Sequence, residues 1–196
     1  MSYKSCLTWC IGSLIIMFIL VGLPIIIYYA VVQPKNPTFT LDHASVTGFN
    51  LTSDNHFTAF FDLVIRANNP NHKMKLKYSR VRVNIFKNKQ RLAEDALDKF
   101  SQRKRNVTLL RSEVVALNVK LKESPGSNIR FETESGYIDF DVFMTATLNS
   151  NNLEVNCKHA IVNISEQTIE ASAPNNKLNH NFRSIGCSVR VYNDDA

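Results

Sequence analysis

Residues 11–32, IGSLIIMFILVGLPIIIYYAVV, form a run of twenty-two residues with no ionisable group apart from Tyr28 and Tyr29, and nothing else in the chain resembles it. At about 1.5 Å of rise per residue, a helix of that length reaches roughly 33 Å, enough to cross a hydrocarbon core about 30 Å thick with a little tilt. Pro24 predicts a bend, because a helix in lipid tolerates proline when neighbouring groups absorb the freed carbonyl. Tyr28 and Tyr29 fall near the exit, where amphipathic rings favour the headgroup layer. A cleaved secretory signal is the competing reading. Its apolar region usually runs only about 7 to 15 residues before a small-residue cleavage site. Here the run is longer, and the branched Val32 stands where a small residue is wanted. The stretch therefore reads as a single retained transmembrane helix.

That reading divides the chain into a short tail (1–10), the anchor (11–32), a stalk QPKNP (33–37) and one domain (38–196), long enough to bury a sizeable core. The net charge of +6 is regional: between Lys73 and Arg105 there are 12 basic and 3 acidic residues. The charges flanking the anchor are nearly balanced, so they do not orient it. Other features favour a cytosolic N-terminus and an extracellular domain. Three glycosylation sequons, at Asn50, Asn106 and Asn163, all lie after the anchor. Cys157 and Cys187 would sit in an oxidising compartment if the domain is exported, and a disulfide between them is then expected. Cys6 and Cys10, just before the anchor, are candidates for S-palmitoylation as much as for plain thiols.

The domain reads as strands. From His56 to Ala67, Phe57, Ala59, Phe61, Leu63, Ile65 and Ala67 share one face, with Thr58, Asp62 and Arg66 on the other. Asn68-Asn69-Pro70-Asn71 ends that strand. Tyr78 to Lys87 places Val81, Val83 and Ile85 inward and Arg80, Arg82 and Asn84 outward. Val107 to Lys122 holds Leu109, Val115, Leu117, Val119 and Leu121 in one phase, and Pro125 and Gly126 then interrupt. Gly136 to Asn149 alternates without error through Ile138, Phe140, Val142, Met144, Ala146 and Leu148. Further strands follow over Leu153–Cys157, Ala160–Ile169 and Ser184–Tyr192, around a polar loop from Pro174 to Arg183. Asn88-Lys89-Gln90 reads as a hairpin turn into Arg91–Leu97, and only Arg91–Arg105 and Asn128–Ser135 have room for a short helix. Seven or eight short strands without a long amphipathic helix predict an all-β fold, an antiparallel β-sandwich of immunoglobulin or fibronectin type with at most one short helix.

Chemistry has little foothold. The five histidines show neither HExxH nor paired CxxC spacing, so no metal is expected, and no nucleophile elbow or Gly-rich phosphate loop exists for catalysis or a cofactor. Asp139 and Asp141 share a strand face, which reads as a solvated surface ahead of an acid/base pair. Lys73, Lys75, Lys77, Arg80 and Arg82 alternate with apolar residues and predict a basic exposed strand face. Such a face resists sheet-to-sheet aggregation, or attracts anionic lipid or a wall polyanion; an exported domain gives nucleic acid no opening.

Several pieces, in order, resemble one family. Asn69-Pro70-Asn71 after Arg66-Ala67, Tyr78 with Arg80 to Val83, Leu92-Ala93 followed by Phe100-Ser101-Gln102 and Asn106-Val107-Thr108, and the late Cys157 and Cys187 are similar to the plant late-embryogenesis-abundant group two proteins, in particular the non-race-specific disease resistance and harpin-induced-like membrane proteins. The chain departs from that pattern in a shorter tail, in Asp98-Lys99 before Phe100, and in a longer loop before Cys187. The resemblance implies a β-sandwich held outside the plasma membrane of a plant cell, linked to defence and stress and without a known reaction; the anchor, the sequons and the late cysteine pair add the expectation that it works through protein partners.

Overall fold

The computed structural model describes residues 3–32, 34–163 and 182–193. By its internal contacts the chain divides into two units, Met1–Lys35 and Asn36–Ala196.

The first unit is helical. α1 (Tyr3–Met17) and α2 (Leu23–Val32) are joined by a single π-helical turn over Phe18–Gly22. The cause is local: Pro24 has no N–H to donate, and its ring crowds the carbonyl four residues back, at Leu20. Widening the preceding turn, with the Leu23 N–H donating to the Phe18 carbonyl, accommodates the ring within a continuous run of helix. The stretch Ile11–Tyr28 has a mean hydropathy of 2.6 and buries none of its side chains within the protein, so by length and composition it is able to cross a membrane.

The second unit is an antiparallel β-sandwich, as the alternating patterns predict. One sheet has four strands in the order β6 (Val107–Lys120), β2 (His56–Asn68), β1 (Thr38–Leu51) and β9 (Ile185–Gly186). The other runs β10 (Ser188–Tyr192), β8 (Asn151–Asn163), β7 (Tyr137–Leu148), β3 (Leu76–Lys87) and β4 (Gln90–Leu97), with the short β5 (Phe100–Gln102) also pairing β3. The strands β2 and β7 supply the two inner faces: every residue of their predicted apolar stripes is buried. Phe61 meets Phe140 across the layers at a centroid distance of 5.1 Å in an edge-to-face arrangement.

Three local predictions are corrected. Arg91–Arg105 holds no helix but β4 and β5: the hairpin into Arg91–Leu97 forms as β3 and β4, with Leu92 and Ala93 drawn into the core beside Ile85. The one helix of the domain among the described residues, α3 (Glu123–Glu134), begins earlier than Asn128 and takes Pro125 and Gly126 into its first turns, where proline loses little because those N–H groups have no intrahelical acceptor. Asn84, expected outward and solvated, is buried between the strands that flank it.

β6 holds the largest surprise. Leu110, Ser112, Val114 and Ala116 face the core, whereas Leu109 and Leu117 are 55% and 66% exposed. A bulge explains why one sequence stripe serves two faces. Between the pairs Phe57↔Val119 and Ala59↔Ala116 β6 has one residue more than β2, and Asn118 takes φ 51° there. Beyond it the phase inverts, so Val119 and Leu121 pack inward while Leu109, Val115 and Leu117 stay outside. The predicted strand Ala160–Ile169 is present as far as Asn163; its remainder and most of the polar loop 174–183 lie outside the described residues.

Candidate functional site

The register Thr38↔Asn68 and Asn68↔Val107 fixes one end of the sandwich: the end at which the chain enters from the stalk. Two loops meet there, 69–75 between β2 and β3 and 103–106 between β5 and β6. Asn69 joins them. Its side chain is fully buried, its Nδ2 donates to the carbonyls of both Met74 and Arg103 at 3.0 Å, and its Oδ1 accepts from the Asn71 N–H at 3.0 Å. Its main-chain N–H donates to the Asn106 carbonyl, and the Arg105 N–H donates to that of Asn71. The Asn-Pro-Asn motif is thus a clamp, satisfying the polar groups of two tight loops that no ladder can reach.

The clamp gathers charge. Across residues 69–77 and 98–106 there are seven basic residues and one acidic one. Three of them, Lys75, Lys77 and Lys99, border an open groove of about 770 Å3 with Phe100, Asn149 and Ser150. Pairing of β3 with β5 sets Lys77 opposite Ser101 and Tyr78 opposite Phe100, which brings Lys99 beside residues more than twenty positions earlier. The floor is rigid. Phe100 stacks on Tyr78 at 4.3 Å with 10° between the ring planes, the Tyr78 hydroxyl donates to Gln102 Oε1, and Gln102 Nε2 donates to the Ala67 carbonyl of the opposite sheet. Burial holds the Tyr78 phenol well above its ordinary pKa, so it is a fixed donor at any physiological pH. Asn149 Oδ1 accepts from the Lys77 N–H and closes the groove's side. None of the three lysines belongs to an ion pair among the described residues. The arrangement suits a ligand that offers several anionic groups and one flat apolar surface.

The basic residues named from sequence do not share one strand face. Lys73 and Lys75 lie in the loop after the clamp, and Lys77 borders the groove. Arg80 sits in a bulge at φ 52° with its Nε donating to Thr147, and Arg82 pairs with Glu94. Lys99 escaped the sequence reading because only the β5 pairing carries it to the groove; Phe100-Ser101-Gln102 was the signal available.

Cys157 and Cys187 are bonded and tie β8 to the segment between β9 and β10. Asn50, Asn106 and Asn163 are exposed, while residues 164–165 of the third sequon lie outside the described residues. Cys6 and Cys10 fall on α1. Asp139 and Asp141 sit beside His159, which contacts Asp139 Oδ2 through Nδ1 at 3.2 Å and donates its main-chain N–H to Asp141. No group of three or more His, Cys, Asp or Glu able to hold a metal occurs among the described residues.

No family model matches the chain. An uncharacterized protein of Arabidopsis thaliana is 28% identical over 191 residues, covering 92% of this chain and 82% of that relative. NDR1/HIN1-like protein 6 of the same plant is 32% identical over 94 residues, or 47% of this chain and 37% of its own length. NDR1/HIN1-like protein 1 is 33% identical over 73 residues, 36% of this chain and 35% of its own. The chain therefore matches only about a third of the length of the named relatives, and together they support the NDR1/HIN1-like family, in line with the motif resemblance. A solved structure from Archaeoglobus fulgidus aligns over 77% of this chain and 93% of its own at 11% identity, with a TM-score of 0.34, too low to bear on the fold.

Proposed function

We propose that this chain is a single-pass plasma-membrane protein that holds a non-catalytic β-sandwich outside a plant cell, where it acts through protein partners in defence or stress response. The observation that carries the reading is the presence, in one chain, of an apolar helix able to span a bilayer and a disulfide-closed sandwich. A disulfide of this kind persists in oxidising compartments and not in the cytosol. Residues 1–10 are then cytosolic, with Cys6 and Cys10 open to palmitoylation, and Asn50, Asn106 and Asn163 face the glycosylation machinery. Protease added to sealed protoplasts is expected to remove the sandwich and spare a tag on the tail, and glycosidase is expected to shift the band. Protection of the sandwich together with an unshifted band overturns the assignment.

The groove favours a second reading, in which the domain grips anionic lipid or a cell-wall polyanion. Three lysines without an ion-pair partner among the described residues, around a partly exposed Phe100, are a reason for such a ligand that simple solvation does not supply. Triple reversal of Lys75, Lys77 and Lys99 to Glu is expected to abolish capture by anionic vesicles or polygalacturonate, while Arg80→Glu with Arg82→Glu weakens it less, those two being already engaged. Equal loss from both sets, or no capture by the unaltered protein, removes this reading.

A further inference from the structure

The outer face of β6 and β2 carries a pattern that is its own complement. Read along β6, the outward residues are Val107, Leu109, Arg111, Glu113, Val115 and Leu117, apolar at both ends and oppositely charged in the middle. Phe60, 46% exposed, extends the apolar end from β2, where it pairs with Val115. Gly48 lies under that ring: at φ 58°, a Cβ there would come within 2.7 Å of Phe60, so the glycine lets the aromatic lie flat on the sheet. The stripe covers about 33 Å of strand, and bulky apolar groups left exposed at both ends of one strand face mark an interface.

The charges name the partner. Asp62 and Glu113 are directly opposed in the β2–β6 ladder, a like-charge pair that costs stability, and neither has a cationic partner among the described residues. Arg111, on the same face, faces Val64 across the ladder and has no carboxylate partner among the described residues. A two-fold axis beside Ser112 would lay Val107 over Leu117, Leu109 over Val115, and Arg111 over Glu113 and Asp62. We propose that this face binds a second copy of the chain, face to face with strands antiparallel, each arginine of one copy neutralising the carboxylate pair of the other. Lipid is a poor occupant, because it would have to take up three charges in the centre of the stripe. Residues 164–181 are a poor one too: they include only Ile164, Ile169 and Leu178 as large apolar residues.

The two-fold sends the two stalks out from opposite ends of the paired strands, so the test uses full chains each in its own detergent micelle. Energy transfer between donor-labelled and acceptor-labelled copies, titrated to the solubility limit, reads association. The unaltered chain is expected to associate, and Arg111→Glu alone and Glu113→Arg alone are each expected to weaken self-association about tenfold or more. A mixture of those two variants is expected to recover association, since both contacts between positions 111 and 113 are then again opposite in sign and only Asp62 of one copy faces a like charge; a folding defect cannot be rescued by mixing. The proposal is overturned by an unaltered chain that stays monomeric, by single variants that associate normally, or by a mixture that does not recover.

Discussion

The outer surfaces of the two sheets differ in how far each satisfies itself. On the six-strand side, Glu94 receives both Arg82 and Arg91, Tyr192 donates to Glu154, Arg80 reaches Thr147, and Phe86 meets Phe143 edge to face at 6.2 Å. Every outward residue of β7 is half-covered by such neighbours. On the β6 and β2 side, bulky apolar groups stand exposed, and Asp62, Glu113 and Arg111 lack ion-pair partners among the described residues. Both faces are built on equally well-buried strands, so the contrast does not come from poor folding on one side. A surface finished within one chain needs only water; a surface left unfinished on a sound core points to something laid against it.

The sharpest break of this contrast is within β6 itself. Leu110→Ala is expected to cost about 2 to 4 kcal/mol in urea denaturation of the full chain in micelles, because it empties a buried site. Leu109→Ala, one residue earlier, is expected to change stability by no more than about 0.5 kcal/mol. Equal costs would mean that the phase described for β6 is wrong. Next in size is Tyr78→Phe, which leaves Gln102 without its donor and is expected to cost about 1 kcal/mol at neutral pH. Its pH signature sharpens the test. Because folding raises the phenol's pKa, the unfolded chain ionises first, and the tyrosine's share of the stability is lost as the pH climbs past about 10. The variant is expected to show a shallower alkaline decline; an unchanged slope would assign that decline to other groups. The smallest pair of effects has opposite signs. Glu94→Ala is expected to lose about 0.5 kcal/mol and Glu113→Ala to gain a few tenths in dilute micelles, both shrinking as salt is added. A loss at Glu113 under those conditions would show that the monomer already satisfies it.

How much of this was legible in the sequence depended on whether a strand keeps a single phase. β2 and β7 do, and their inner faces could be read residue by residue. β6 does not: it has large apolar residues in both phases, Leu109 beside Leu110 and Val114 beside Val115, and its bulge at Asn118 joins two half-stripes into one apparent stripe. Alternation alone cannot choose between them. The helix over Glu123–Glu134 was obscured because Pro125 and Gly126 signal a break in mid-strand and are harmless in a first turn. The groove was invisible for another reason. Lys75, Lys99 and Asn149 are brought together by pairings of β3 with β5 and β7, and no local pattern records a register between distant strands. The Asn-Pro-Asn turn was legible as punctuation, but its work as a clamp depends on carbonyls at Met74 and Arg103 that sequence does not place.

The bond between Cys157 and Cys187, thirty positions apart, encloses residues 158–186, and with them residues 164–181. Topologically, the C-terminal part of the domain is therefore a closed hoop with a short tail, not a free string. A single peptide cut anywhere inside that hoop opens it without releasing anything: β10 remains covalently moored to β8, where it is also laddered from Ser188 to Tyr192. A nicked protein would migrate as one piece until a reductant is added, and only then as two. Cleavage of this interval is thus an event the sandwich can record without losing its last strand.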